Sequence, residues 1–268
     1  MNQLTSEKYG RIIIIIVILF FSLLAFWLRI VPEAGLVLED GVNLLGNDPW
    51  YNLRQVEVVI QNFPDYPWFD PMTLFPRGDV IHWGPLFPQI ISFVALILGA
   101  SNRPEIMYIA SWIPPIMATL LVSVIYFIGK KIENWQIGLI SAGFLAIISG
   151  QYFYRSLFGF VDHHIAEVLF STIFILAYVY LLDYTKGQKV NFNNPRSLQK
   201  PVLFSAITGV TYLLGLFVMP TMILFAMIIA FYTMIQYILN FFKRQSNEHL
   251  LLINVVIFSV AIIGLFVF

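Results

Sequence analysis

The sequence contains no cysteine, which excludes disulfide staples and thiolate metal sites. Charge is also scarce. Asp, Glu, Lys and Arg make up 11% of the residues, against about 25% in ordinary soluble domains. Acidic and basic residues number 15 each, so the formal net charge is zero and predicts no polyanionic partner, nucleic acid included. What fills the chain is hydrocarbon. Hydrophobic residues reach 59% and the mean hydropathy is +0.81, values of a membrane protein and not of a globule with a large core.

Residues 12–28 carry no charge and lie between Arg11 and Arg29, which suits a helix crossing a hydrocarbon core about 30 Å thick. No small-residue cleavage site follows, so this segment reads as a retained anchor and not as a signal peptide. Hydropathy places about seven spans, at 11–31, 104–129, 136–155, 164–183, 201–218, 219–240 and 249–268. Between the first two lies a long loop, 32–103, rich in Pro, Asp and aromatics. Its apolar stretch 85–99 is short for a crossing and reads as a re-entrant or interfacial helix. The fifth and sixth spans meet at Met219-Pro220, where proline dictates a turn or a kink.

Lysine and arginine in the loops set the orientation. With a cytoplasmic N-terminus, Lys8, Arg11, Lys130, Lys131, Lys186, Lys189, Arg196, Lys200, Lys243 and Arg244 all fall inside. Every lysine is then on that side. The outer face receives Arg29, Arg54, Arg77, Arg103 and Arg155, with most of the acids. Loop 32–103 and the turn around 155–163 therefore share the extracytoplasmic face.

Ionisable groups near membrane depth are costly and tend to be functional. Two clusters stand out. "LEDGVNLLGNDPWYNLRQVE" (38–57) holds Asp48 and Arg54, and "YFYRSLFGFVDHHIAEVLF" (152–170) holds Arg155, Asp162, His163, His164 and Glu167. Each has a purely structural explanation. An Asp before a helix caps free N–H groups, and Asn-Asp-Pro is a common turn opener. Adjacent histidines change the balance: Asp-His-His offers a carboxylate and imidazoles within one turn, a ligand set for a divalent cation. With Asp48 on the same side, two carboxylates can converge on one ion. Arg155, seven residues before Asp162, supplies a fixed positive charge for an anionic group. A third outer stretch, "FPRGDVIHWGPLFP" (75–88), adds His82, for which packing is as good an explanation as chemistry. "KGQKVNFNNPRSLQK" (186–200) reads as a solvated inner loop.

These residues resemble a known family. "GNDPWYN" (46–52) is similar to the first aspartate motif of the oligosaccharyltransferase catalytic subunits. "FVDHHIAE" (160–167) is similar to the second motif in its archaeal form, where the usual second Asp is replaced by His. "FPRGDVIHWGPLFP" resembles part of the first outer loop of archaeal members, the dolichyl-phosphooligosaccharide–protein glycosyltransferases. The resemblance covers nearly the whole chain. It implies an all-α, polytopic transmembrane helical bundle of the GT-C glycosyltransferase type with a long first extracytoplasmic loop. Residues 1–268 would be one transmembrane domain in the cell membrane. The family continues further, with a glutamate in a fifth outer loop and a soluble domain bearing a WWDYG-type motif. Neither is present, and the chain closes inside the apolar run "LLLINVVIFSVAIIGLFVF", so a truncated chain is expected.

The resemblance also implies roles and partners. Asp48 would serve both metal and acceptor asparagine. Asp162 and His164 would hold Mg2+ or Mn2+, with His163 and Glu167 as less defined contributors. Arg155 and, secondarily, His82 would contact the donor phosphate. The implied reaction moves a preassembled oligosaccharide from a lipid-linked dolichyl phosphate or pyrophosphate donor to Asn in an Asn-X-Ser/Thr acceptor polypeptide. Its site would lie on the extracytoplasmic face, against membrane lipid. Two competing readings are another polyprenyl-phosphate-sugar glycosyltransferase and an ion-coupled transporter. The first is not expected to carry Asp-His-His, and the second places its charges near the bilayer midplane.

Overall fold

A computed structural model describes residues 2–186, 190, 192 and 194–267. Lys189, one of the lysines assigned to the inner side, lies outside the described residues. Among the described residues the regular structure is helical apart from two short antiparallel hairpins, which pair Val37–Leu38 with Gly41–Val42 and Phe69–Asp70 with Asp79–Val80. Eleven α-helices follow in order among the described residues: α1 (Asn2–Ile30), α2 (Glu33–Leu36), α3 (Asp48–Asn62), α4 (Leu86–Ile97), α5 (Arg103–Ile132), α6 (Trp135–Ile147), α7 (Gln151–Tyr154), α8 (His164–Lys186), α9 (Pro195–Leu216), α10 (Ile223–Lys243) and α11 (Glu248–Val267).

By length and composition, five segments can cross a membrane: Tyr9–Leu36, Arg103–Ile132, His164–Lys186, Pro220–Lys243 and Glu248–Val267. The protein is a multi-pass membrane protein. Two expected spans are drawn differently. The apolar run read as 136–155 is not one helix: α6 ends at Ile147, Ile148 leaves the helical region with ψ 128°, and the chain resumes as the short α7 after Gly150, whose φ of 108° favours glycine. The 201–218 segment belongs to α9, which starts earlier, in the polar run PRSLQK, and is not among the five. The stretch 85–99 does form a helix, α4. At Met219-Pro220 the helices part: α9 stops at Leu216 and a 3-10 turn, Pro220–Met222, leads into α10.

The chain gathers into two compact units, Met1–Leu169 and Phe170–Phe268. In the second, Phe174, Tyr178, Tyr212, Met222, Ile253 and Ile257 form the core. In the first, α1, α5 and α6 pack around Ala25, Val122, Tyr126, Ala142 and Ala146. Small residues bring α5 and α6 together: a Cβ on Gly138 would stand 2.6 Å from the Tyr126 carbonyl oxygen, so only glycine permits this approach. Side-chain caps fix where these helices start. Asn102 accepts from the Glu105 N–H and Asn134 from the Ile137 N–H.

One buried cation fastens the loop after α6. Arg29, in the last turn of α1, is fully buried. Its Nε donates to Ser156 Oγ at 2.8 Å, and its Nη1 donates to the carbonyls of Ala25 (2.9 Å) and Ala146 (3.2 Å). The guanidinium lies 5.0 Å from the ring centroids of both Tyr152 and Phe153. The Arg29 carbonyl in turn accepts from the Phe158 N–H, and the Gly159 carbonyl accepts from the Leu45 N–H. These bonds draw residues 43–48 and 155–162 together although they are far apart in sequence.

Arg29→Met keeps the apolar stem and removes the donors. Lost hydrogen bonds to a charged group are worth about 1.5–3 kcal/mol, and unfolding in detergent should show a loss of that size. Hydrogen exchange at the Phe158 amide should quicken with it. Unchanged stability together with unchanged exchange would show that the clamp contributes nothing.

Candidate functional site

Asp162 is the centre of the site. It follows the loop held by Arg29 and precedes α8 by two residues, and its side chain is fully buried. Its two oxygens are treated differently. Oδ1 accepts from the His163 main-chain N–H at 2.8 Å and from Asn52 Nδ2 at 3.3 Å. His163 Nδ1 also lies 3.0 Å from Oδ1, as a charge contact without hydrogen-bond alignment. Oδ2 accepts no hydrogen bond, though it is buried. Facing it are His164 Nε2 at 3.5 Å and Arg155 Nη1 at 3.8 Å. Burial pushes the Asp162 pKa up, but His163 and the charge of His164 outweigh it and hold the carboxyl below the usual Asp value.

One ligand atom each from Asp162, His163 and His164 lies within 4.8 Å of the others, a group able to hold a metal ion. The donor set of one carboxylate oxygen and imidazole nitrogens suits a divalent cation, and a bare buried Oδ2 is what a ligand awaiting one looks like. His164 is further oriented by Glu167, whose Oε2 stands 3.4 Å from its Nδ1, a carboxylate–imidazole pairing common behind metal-binding histidines. His163 stacks on Trp83, with ring centroids 5.4 Å apart and an interplanar angle of 17°. Beside the group opens a cavity of about 300 Å³, lined by Arg155, His164, Glu167, Gln151 and Tyr152 among others. Arg155 Nε donates to Gln151 Oε1 at 3.2 Å, which steadies a guanidinium about a third exposed toward the cavity.

Asp48 opens α3, with Pro49 at the start of the helix as its geometry favours. Its carboxylate is exposed and is not part of the Asp162–His163–His164 group. Its carbonyl, however, accepts from Asn52 Nδ2 at 3.0 Å, the same nitrogen that reaches Asp162. One amide thus joins the two acidic motifs. His82 is 72% exposed and faces Asp79, with Nε2 3.9 Å from Asp79 Oδ2. Its neighbour Trp83 is the residue from that stretch that stacks on the group.

Sequence reasoning passed over Asn52, Gln55 and the role of Trp83. Gln55 Oε1 accepts from Trp83 Nε1 at 3.0 Å and from the Tyr66 hydroxyl at 2.9 Å, while Tyr51 packs edge-on to Trp83. Tyr51, Asn52 and Gln55 share a face of α3. The spacing Asp48–Asn52, one helical turn, was the available signal for Asn52. Nothing local marks Gln55.

Comparison with known proteins identifies the family of the chain. A dolichyl-phosphooligosaccharide-protein glycotransferase of Archaeoglobus fulgidus is 30% identical over 95% of this chain and 29% of its own length. The AglB glycotransferase of Haloferax volcanii is 28% identical over 92% of this chain and 24% of its own. Among solved structures, the archaeal oligosaccharyltransferase AglB from Archaeoglobus fulgidus, in complex with an inhibitory peptide and a dolichol-phosphate, superposes with a TM-score of 0.88 at 28% identity. That match covers 97% of this chain and 30% of that one. A structure of the oligosaccharyltransferase from that organism in complex with Zn and sulfate gives 0.84 at 28% identity, over 94% of this chain and 31% of the other. Another, tethered to an acceptor peptide containing the NVT sequon, gives 0.86 at 28%, over 95% and 30%. The chain spans less than a third of the length of these relatives. Residues 12–268 match the family described as oligosaccharyl transferase STT3, N-terminal, and the chain belongs to it.

Proposed function

We propose that this chain is the membrane-embedded N-terminal part of an enzyme that transfers a preassembled oligosaccharide from a dolichyl phosphate or pyrophosphate to Asn in Asn-X-Ser/Thr segments. The observation that carries the reading is the buried Asp162 carboxylate. It has one oxygen bonded and one bare, beside two imidazoles, and its bare oxygen lies 3.8 Å from Arg155, which lines the neighbouring cavity with His164. Family likeness supports the ligand classes, since related structures hold a dolichol-phosphate, a sequon peptide, and Zn with sulfate. In this reading residues 32–103 form the first outer loop, the N-terminus is cytoplasmic and the site faces outward, as the distribution of lysine requires.

Asp162 and His164 hold a divalent cation, Mg2+ or Mn2+, with Asp48 as the further carboxylate and His163 alongside. When bound, such an ion supplies Lewis-acid stabilisation of charge on the departing phosphate. Arg155 pairs with the donor phosphate from the cavity side, its planar guanidinium matched to phosphate oxygens. His82 gives a secondary phosphate contact. Asp48, exposed at the start of α3, accepts from the N–H groups of the acceptor carboxamide. An amide nitrogen is a poor nucleophile because its lone pair is shared with the carbonyl, and hydrogen bonds to both N–H groups hold it where that sharing is weakened. The polyprenyl tail stays in the bilayer while its head reaches the outer face.

In membranes carrying the full-length enzyme and its donor lipid, Asp48→Asn and Asp162→Asn should each lower transfer to an acceptor peptide on the order of 100- to 1,000-fold. That is the loss seen when a group stabilising developing charge is removed. Wild-type rates in both variants would refute the assignment. Chelation should stop transfer, and Mg2+ or Mn2+ should restore it; activity indifferent to the chelator would remove the role given to His164. Product should appear on Asn and not on Thr, which separates this reading from a lipid-sugar transferase acting on hydroxyls.

A further inference from the structure

Asn52 lies one turn after Asp48 on α3 and is 1% exposed. Its Nδ2 serves two acceptors, the Asp48 carbonyl at 3.0 Å and Asp162 Oδ1 at 3.3 Å. Its own Oδ1 is buried with no hydrogen-bond partner. The reversed amide would set that oxygen against two other oxygens, so the partners fix its orientation. Both hydrogens of a single nitrogen are needed to reach both motifs. A serine or threonine has one donor, and an aspartate has none and would repel both acceptors.

The effect on Asp162 is asymmetric. With Oδ1 held by Asn52 and by the His163 N–H, the carboxylate plane is fixed and Oδ2 stays bare toward His164 and Arg155. We propose that Asn52 is a positioning residue of the cation site: by holding Asp162 Oδ1 and the Asp48 carbonyl on one amide, it presents Oδ2 to the cation and sets the spacing of the two acidic motifs. The inference rests on the cation site proposed above and adds to it a residue that touches neither metal nor substrate. The acid–imidazole group supplies the ligands; Asn52 supplies their orientation.

The test is Mn2+ binding to the purified full-length enzyme in lipid nanodiscs, followed by electron paramagnetic resonance, with circular dichroism as the check on folding. Asn52→Leu keeps the volume and removes the donors. Loss of a group that orients a metal ligand costs about 10- to 100-fold in affinity, and that drop is expected here with unchanged helicity. Asn52→Ala, which removes the same donors without crowding, should match it and carries the test if leucine disturbs folding. Ser92→Ala is the packing control: Ser92 is buried on α4 and donates to the Val56 carbonyl of α3 at 3.3 Å, away from the group, and should leave affinity unchanged. Undiminished affinity in both Asn52 variants overturns the inference alone. An equal drop in Ser92→Ala also overturns it, because the effect would then be general loosening of α3. A wild-type chain that takes up no Mn2+ removes the cation site and this inference with it.

Discussion

A carboxylate taken out of water is the constraint around which the first unit is arranged. Burying an ionised group costs several kcal/mol unless hydrogen bonds and opposite charges compensate it. Around Asp162 the compensation is one-sided: Oδ1 has two hydrogen bonds and a close imidazole, and Oδ2 has none. Donors for Oδ1 come from the residue that follows and from α3, so α3 and the start of α8 have to arrive at one point. The bond from the Leu45 N–H, three residues before α3 begins, to the Gly159 carbonyl, three before Asp162, brings the loops to register.

Two arginines near this point do opposite work, and their surroundings say which does which. Arg29 is fully buried, spends three donors on Ser156, Ala25 and Ala146, and lies against two aromatic faces. Its donors are turned to the fold. Arg155 is half-buried, has one side-chain hydrogen bond to Gln151, meets Asp162 only at 3.8 Å, and lines a cavity. A guanidinium with so few of its donors engaged, open to solvent on one side, is available to an anion. Ser156 links the two, since the hydroxyl that receives Arg29 sits next to Arg155 in the chain.

The membrane class, α1, α5 and the cluster Asp162–His163–His164 were legible because each is local. A charge-free run needs no partner to be read, and three ligand residues in succession fall within one turn whatever packs around them. The end of α6 was not legible. Its apolar run continues past Ile147, but the chain leaves the helix at Ile148, and the Ala146 carbonyl in that last turn is taken by Arg29, a contact 117 residues distant in sequence. The joining of the motifs by Asn52 was missed for a related reason. A neutral amide between acidic residues looks like turn chemistry, and its meaning depends on a partner 110 residues away. His82 attracted attention as the titratable residue of its stretch, and its neighbour Trp83, which stacks on His163, reads in the sequence only as an interfacial aromatic.

The arrangement of bare groups decides what kind of ligand the site suits. On one side Asp162 Oδ2 is an acceptor without a donor, and on the other Arg155 is a cation with donors to spare. A lone anion would be drawn to Arg155 and repelled by Oδ2. A lone cation would meet the reverse. A divalent ion bearing a phosphate answers both ends at once, each charge screening the other's unfavourable contact at a range of a few ångströms where solvent screening is weak. On the function proposed, the buried, unpaired oxygen would be compensated by a ligand that brings opposite charges as a pair.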